Sequence, residues 1–440
     1  MWKLMKSRWI SEETQLDLGG SAIRSRVVDS MDPEGSEIRL ALDRAGSRSS
    51  SFPVRVGATS SVPMAITTWS FPTTVVFGAG ALSALPAHAK RLNAQRPLLV
   101  CDAGIVKAGL AARVQKVLES AGLAVAIFDK VDPNPVESNV SSGVAAYKAH
   151  KADLIVSVGG GSPLDVGKLI ALKTTHERPL HEYDDAIGGD AHITSNVPPI
   201  ITIPTTAGTG SEVGRSGVVT LEATGRKTVI FSPYFMAKAA ILDPELTVSM
   251  PARITAATGF DALTHCLESY CSVGDHPMAD AIALGGLELC AKSLARAVEK
   301  GDDLDARGDM MKAAMMGAVA FQKGLGACHS LAHPLSSEKH LHHGLSNALC
   351  LPAVVEFNDD AIHPKLERIR GLLAPEAKTL AEGLRAIRAR IGLPSGLRAE
   401  GVTESDIPKL AEKAIEDACH RSNPKPVTKT DLAKLYEASL

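Results

Sequence analysis

The sequence predicts an α/β domain built on a parallel, Rossmann-like sheet, followed by an all-helical domain. Three observations carry that prediction. From Thr67 to Leu242, short apolar runs alternate with helical stretches of about a dozen residues, the pattern of a parallel sheet covered on both faces. Two of these runs end in loops of Gly, Ser and Thr. Beyond about Leu246 the strand signals give way to Ala-, Leu- and Met-rich segments of helical period.

The chain has 440 residues, too many for one small core. The expected divisions are an extension at 1–63, an α/β domain at 64–245 and a helical domain at 246–440. Net charge is −2 with no dense Lys/Arg run, so nucleic-acid binding has no electrostatic support. No apolar run reaches about 18 residues, and no membrane span is expected. Seven Cys, an odd number without C-x-x-C, read as reduced thiols of a cytoplasmic protein.

Residues 1–63 mix Ser, Arg, Gly and acids without periodicity, and disorder is expected there. The stretch lacks the apolar core of a secretory signal, its acids argue against a transit peptide, and Met64 is an alternative start. Strands are then expected at 73–77, 97–102, 125–128, 153–158, 199–203 and 239–242. Helices are expected at 105–121 and 136–148. Gly78-Ala79-Gly80 is read as a turn, because the third glycine of a dinucleotide fingerprint is missing. In the second half, helices are expected at 254–270, 278–299, 309–321, 346–355 and 376–391.

The strongest local signal of the first half is Gly159-Gly160-Gly161-Ser162-Pro163-Leu164-Asp165. The glycines let a ligand approach the backbone. Ser162 stands where an N-cap belongs, Pro163 suits the first helical position, and Asp165 completes a capping box. Such a helix start binds phosphate; a capped turn without a ligand is the alternative. The run 199–203 ends at Pro204-Thr205-Thr206-Ala207-Gly208-Thr209-Gly210. Two such loops at strand ends suggest one crevice serving one cofactor.

In the second half, Asp261 and His265 stand four apart, and so do His329 and His333. On a helix that spacing places each pair on one face. Asp261, His265, His329 and His343 make one carboxylate and three imidazoles, a set suited to Fe²⁺, Zn²⁺, Mn²⁺ or Ni²⁺. A hydrogen-bonded core histidine is the competing reading at each position. Cys328, beside His329, reads as a small buried residue rather than a nucleophile.

Taken together, GGGSPLDVGK (159–168), PTTAGTGSEV (204–213), DPEL (243–246), GFDALTHCLESY (259–270), HSLAHPL (329–335) and HHGLSNA (342–348) resemble the iron-containing (group III) alcohol dehydrogenases. The resemblance runs from about Trp69 to the C-terminus and implies a dehydroquinate synthase-like architecture. It implies the metal ligands Asp261, His265, His329 and His343, the last chosen over His340 and His342 because the motif places a ligand directly before Gly. It implies Fe²⁺ first and Zn²⁺ second, with NAD as cofactor. Gly160, Gly161, Ser162 and Asp165 would hold pyrophosphate and ribose. Thr205, Thr206, Thr209 and Lys227 would line the rest of the cleft, and Asp102 would disfavour an NADP 2′-phosphate. His333 would lie near the nicotinamide, either relaying a proton or orienting the ring.

The implied activity is hydride transfer between a primary or ω-hydroxy alcohol and NAD, in a homo-oligomer. Arg215, AFQKGLG (320–326) and LHHG (341–344) look like the 4-hydroxybutyrate dehydrogenase-type members. That narrower activity is the alternative, with Arg215 holding a substrate carboxylate. A structural ion pair of Arg215 with Glu212 or a neighbouring acid is the other reading. A lyase of the dehydroquinate synthase type, a metal-free reductase and a non-catalytic nucleotide-binding protein are more distant rivals. The segment 334–339 departs from the family pattern and leaves substrate size open.

Overall fold

The computed structural model describes Phe71, residues 73–440, and the backbone of two short strands, β1 (Arg24–Arg26) and β2 (Ala41–Asp43). These two strands pair antiparallel. The expectation of disorder for the rest of 1–63 lies outside the described residues. Two compact units are present, Met1–Ile66 and Thr67–Leu440.

The second unit begins with β3 (Val75–Phe77), α1 (Leu85–Arg91), β4 (Pro97–Asp102), α2 (Ala103–Lys107), α3 (Leu110–Glu119), β5 (Ala126–Val131), α4 (Glu137–His150), β6 (Leu154–Gly159), α5 (Gly161–Thr175) and β7 (Ile200–Pro204). A hairpin, β8 (Ser216–Thr220) and β9 (Lys227–Phe231), precedes the last strand, β10 (Ala239–Leu242). Six strands form one parallel sheet in the order β3-β10-β7-β6-β4-β5. Leu99, Val156 and Ile201 face one apolar layer while Leu98, Ile155 and Ile200 face the other. Burial on both faces explains why these strands read as continuous apolar runs.

From β4 the chain moves outward to β5, then returns to β6 on the other side of β4 and continues to β7 and β10. The order reverses between β4 and β6. A crevice opens at such a switch point, beyond the carboxyl ends of the strands. Asp102 ends β4, the glycine loop follows β6, and the threonine loop follows β7.

All regular elements after β10 are helical: α6 (Ala252–Cys271), α7 (Pro277–Glu299), α8 (Leu304–Ala320), α9 (Ala327–Lys339), α10 (His343–Leu373), α11 (Leu380–Arg390), α12 (Ile407–Glu416) and α13 (Lys429–Ser439), with short 3₁₀ turns between some of them. Helix α6 is the hub. Every residue from Thr255 to Cys271 is buried, and α7, α8 and α10 pack around it. A helix enclosed on all sides must find partners for its polar residues.

Several expectations are corrected. The helix expected at 105–121 is two helices, because Gly109 takes a left-handed conformation (φ 76°) between them. Helix α8 starts a turn earlier than expected, since the Asp303 carboxylate accepts from Ala306 N at 2.9 Å and caps it. Helix α10 runs far beyond 355 and kinks at Ile362, two residues before Pro364. Ser162 is not an N-cap. Helix α5 starts at Gly161, with Gly160 as an N-cap that offers no side-chain hydrogen bond. The hairpin of β8 and β9 was not expected.

Candidate functional site

The pair Asp261/His265 meets His329, the first member of the second pair, and His343. One donor atom from each of Asp261, His265, His329 and His343 lies within 4.8 Å of the others. Asp261 and His265 come from α6, His329 from α9, and His343 from the first turn of α10. A Cβ on Gly344 would lie 2.1 Å from Ala257 O and 3.0 Å from Asp261 Cβ. Only glycine there lets the start of α10 reach α6 and set His343 beside Asp261. The other two candidates miss the cluster: His340 caps the end of α9, and His342 precedes α10 with its side chain exposed.

The donor set fits a divalent cation. Asp261, His265 and His329 are buried, and His343 lies at the rim. Burial pushes the His265 imidazole down to about 4 and lowers His343 as well, which keeps both in the neutral form a metal binds. Two buried nitrogens, His265 Nδ1 and His343 Nδ1, have no hydrogen-bond partner. His343 turns its other nitrogen, Nε2, toward the cluster, 3.6 Å from Asp261 Oδ1, and that is the atom a cation would meet.

Sequence reasoning missed three residues: two that hold the cluster and one that holds His333 beside it. Glu268 accepts from His329 Nδ1 and, at 2.7 Å, from Cys328 N. That fixes the ring so that Nε2 faces the cluster, the carboxylate–imidazole arrangement common behind metal ligands. Burial alone would lower His329, but Glu268 and Asp261 outweigh it and the net shift is upward. Asn347 Nδ2 donates to Asp261 Oδ1 at 2.8 Å and lies 3.3–3.4 Å from the Nε2 atoms of His343 and His329. Asp417 accepts from His333 Nδ1 at 2.6 Å. Signals existed for two of them: Glu268 continues the Asp261/His265 stripe at i+7, and Asn347 is four residues after His343. Asp417 is 84 residues from His333 and carries no local signal.

His333 is outside the donor cluster. Its ring stacks on His343 at 5.2 Å between centroids and lies edge-on to His329 at 6.1 Å. Both His333 and His343 have about a quarter of their side chains exposed, so the cluster opens on their side.

The crevice loops press against this helical core. Gly160 and Gly161 face Thr206 and Thr209, and Thr205 N donates to Gly159 O at 2.9 Å. Further along the threonine loop, a Cβ on Gly210 would lie 2.2 Å from Ala318 Cβ, so the loop lies directly on α8. Gly208 touches Thr258 of α6, and its carbonyl acts on His265. Ser162 Oγ donates to Pro133 O at 2.7 Å. The Asp165 carboxylate is turned inward, accepting from Ser211 Oγ and, at 3.2 Å, from Val218 N, and so pins the hairpin to α5. Asp102 accepts from Ile105 N at 2.9 Å and caps α2. Lys227 is enclosed, which lowers its pKa, while the charges of Asp165, Asp261 and Asp417 all act on it in the opposite direction.

Arg215 forms no ion pair with Glu212 or any other acid among the described residues. Its guanidinium lies 5.1 Å from the centroid of Phe231, on the hairpin face away from buried Thr228 and Ile230. Lys227 belongs to that same face, since side chains alternate along β9.

A parallel sheet with a switch-point crevice, backed by a helical cluster of three imidazoles and one carboxylate, fits an enzyme that pairs a nucleotide with a divalent metal. The comparisons agree. The family model "Iron-containing alcohol dehydrogenase" matches residues 72–244, and "Fe-containing alcohol dehydrogenase family, C-terminal" matches 255–440. The 4-hydroxybutyrate dehydrogenase of Cupriavidus necator is 43% identical over 373 residues, covering 82% of this chain and 96% of that protein. The NAD-dependent methanol dehydrogenase of Bacillus methanolicus is 36% identical over 385 residues, covering 85% and 100%. A crystal structure of 1,3-propanediol oxidoreductase superposes with a TM-score of 0.82 at 36% identity, covering 86% of this chain and all of that one. This chain belongs to the iron-containing alcohol dehydrogenase family. Among its described residues no helix is long and apolar enough to cross a membrane.

Proposed function

We propose that this protein transfers hydride between a primary or ω-hydroxy alcohol and NAD, with 64–245 as the nucleotide half and 246–440 as the metal half. The observation that carries the reading is the four-donor cluster lying against the threonine loop at the switch-point crevice. Asp261, His265, His329 and His343 would hold Fe²⁺, with Zn²⁺ as the alternative, and such a cation supplies Lewis acidity toward an alcohol or aldehyde oxygen. NAD supplies the hydride acceptor, while the protein fixes distance and orientation.

The chain's own residues divide the remaining tasks. Gly160, Gly161 and the uncapped amides opening α5 receive the pyrophosphate, helped by the helix dipole. Thr205, Thr206 and Thr209 line the crevice, with Ser162 at its edge, while Asp165 holds the wall in place. Lys227 sets a positive charge between nucleotide and metal site. Asp102 meets the adenosine ribose and repels a 2′-phosphate. His333 takes the alcohol proton on Nε2 as the C–H electron pair leaves with the hydride, so the alcohol is oxidised and NAD⁺ reduced.

A narrower reading, 4-hydroxybutyrate oxidation and succinic semialdehyde reduction, is favoured by the unpaired Arg215 and by the 43% identical relative. A half-buried guanidinium without an acid suits a substrate carboxylate. We read the assembly as a homo-oligomer on the family resemblance. The cytoplasm is read as its compartment from seven unpaired thiols. The test is NADH oxidation over neutral and carboxylated aldehydes, with Fe²⁺ and Zn²⁺ supplied separately. Turnover without added metal after exhaustive chelation, or none with any aldehyde, would sink the proposal.

A further inference from the structure

Helix α9 carries two histidines one turn apart, and each has a carboxylate behind it. His329 has Glu268, from α6. His333 has Asp417, the residue that ends α12. The second pair serves no cluster ligand, yet it is built with equal care.

Asp417 is filled from several directions. Its Oδ1 accepts from Ser330 Oγ and from Cys419 N, both at 2.8 Å. Its Oδ2 accepts from His333 Nδ1 at 2.6 Å. Ser330 Oγ in turn accepts from His420 N at 2.8 Å, and Asn423 Oδ1 accepts from Ala327 N at 3.2 Å. The segment 417–423 is thereby fastened to α9 at several points, so the carboxylate has a fixed position relative to the imidazole. Three donors, from His333, Ser330 and the Cys419 amide, converge on the carboxylate and suit its ionised form. An ionised carboxylate only accepts. In the neutral ring the hydrogen bond to Asp417 therefore puts the proton on His333 Nδ1 and the lone pair on Nε2. That nitrogen has no protein partner among the described residues.

His333, Asp417 and Cys419 also bring donor atoms within 4.8 Å of one another. Hydrogen bonds to a carboxylate already supplied with donors account for that grouping without a second cation.

We propose that Asp417 is a positioning residue: it selects the His333 tautomer with Nδ1 protonated and aims Nε2 as a proton acceptor beside the metal cluster. The inference rests on the reading of His333 as the proton relay given above. When Nε2 takes the alcohol proton, His333 becomes an imidazolium whose Nδ1–H still points at Asp417, and the paired charge stabilises it. The proton then leaves through the exposed quarter of the His333 side chain. Cys419, the neighbouring thiol, takes no part in the transfer.

The decisive variant is Asp417→Asn, close to isosteric. Its amide donates to Nδ1 and so favours the opposite tautomer, with the proton on Nε2 and no acceptor facing the site. The expected result is a fall in kcat of roughly 10²–10⁴-fold, the usual weight of a misdirected general base. Metal content and the dissociation constant for NADH, read by fluorescence, should stay within about 2-fold of wild type, and Asp417→Glu should recover part of the lost kcat. In a His333→Ala background, Asp417→Asn should cost nothing further.

Each alternative result bears on a separate claim. An undiminished kcat in Asp417→Asn while His333→Ala is impaired would overturn the positioning role alone. An undiminished kcat in His333→Ala would remove the relay reading itself. Loss of metal from Asp417→Asn in step with its activity would assign Asp417 to the architecture of the cage and overturn the proposal. Should Asp417→Asn fail to fold, Ser330→Ala loosens the same carboxylate, and an unchanged kcat there with folded, metal-loaded protein would also count against it.

Discussion

Both halves of the molecule bury charge, and they treat it differently. In the α/β half, Lys168 is fully enclosed, and its ammonium reaches Ser211 O, Ser211 Oγ and Ser216 O, all within 2.8 Å. Three donors meet three acceptors, with Asp165 nearby at 3.5 Å. That network is finished, and its product is the shape of the crevice wall. In the helical half, Asp261, His265, His329 and His343 crowd four ligand-type donor atoms within 4.8 Å of one another. That set is unfinished in the protein alone. The contrast separates a structural use of buried polarity from a receptive one, and mutations should act differently on the two.

The largest effect belongs to the receptive side. His329→Ala should weaken metal binding by more than the roughly 10–100-fold typical of an orienting residue, and turnover should go with it. A variant that kept both metal and activity would show that the cluster is not the site. Next comes Lys168→Met, which strands Asp165 and the Ser211 acceptors. Thermal and denaturant unfolding should report a loss of about 3–5 kcal/mol, with metal affinity unchanged in the protein that remains folded. If the metal leaves as well, the two uses of buried charge are not separable.

Arg215→Ala should lower kcat/KM for succinic semialdehyde about 10–100-fold more than for butanal, the worth of a charge-assisted pair. An equal loss on both aldehydes would leave Arg215 with a packing role on Phe231. Asp102→Ser keeps an oxygen for Ile105 N but removes a negative charge. The preference for NADH over NADPH should shrink about 10-fold, and an unmoved ratio would place the 2′-position elsewhere.

A further difference is a pH dependence of stability confined to the α/β half. Burial holds the Glu212 carboxyl up at about 7, above its ordinary 4.5. The folded state therefore keeps a proton that the unfolded chain has released, and stability is lost as pH rises from about 4.5 through 7. Glu212→Gln lacks this dependence, so its melting temperature should gain on wild type between pH 5 and 8. Parallel curves for the two proteins would mean that Glu212 is ionised throughout.

The sequence made the cage legible because helical spacing is rigid. A pair four residues apart on a helix points one way wherever the helix lies, so Asp261/His265 and the placement of His329 survived folding. The glycine and threonine loops were legible because their composition makes sense only where a backbone must be approached. Asp417 was not legible, since a contact 84 residues away depends on how α12 docks, which no local pattern encodes. The hairpin escaped notice because Gly217 and the enclosed Lys227 blur its alternation. Ser162 misled for a different reason. Its residue type suits an N-cap, but the helix begins two residues earlier than that cap implies and spends the serine on Pro133. A glycine cap leaves the first amides of α5 unclaimed, which suits a phosphate better than the expected capping box.

One consequence follows from the threonine loop seated on α6 and α8. The Gly208 carbonyl acts on His265, so a nucleotide that shifts the loop alters the surroundings of a metal-binding imidazole. Any such shift would couple the two occupants. Whatever factor the nucleotide imposes on retention of the cation, the cation must return to the nucleotide, because the closed cycle of binding steps admits only one coupling constant.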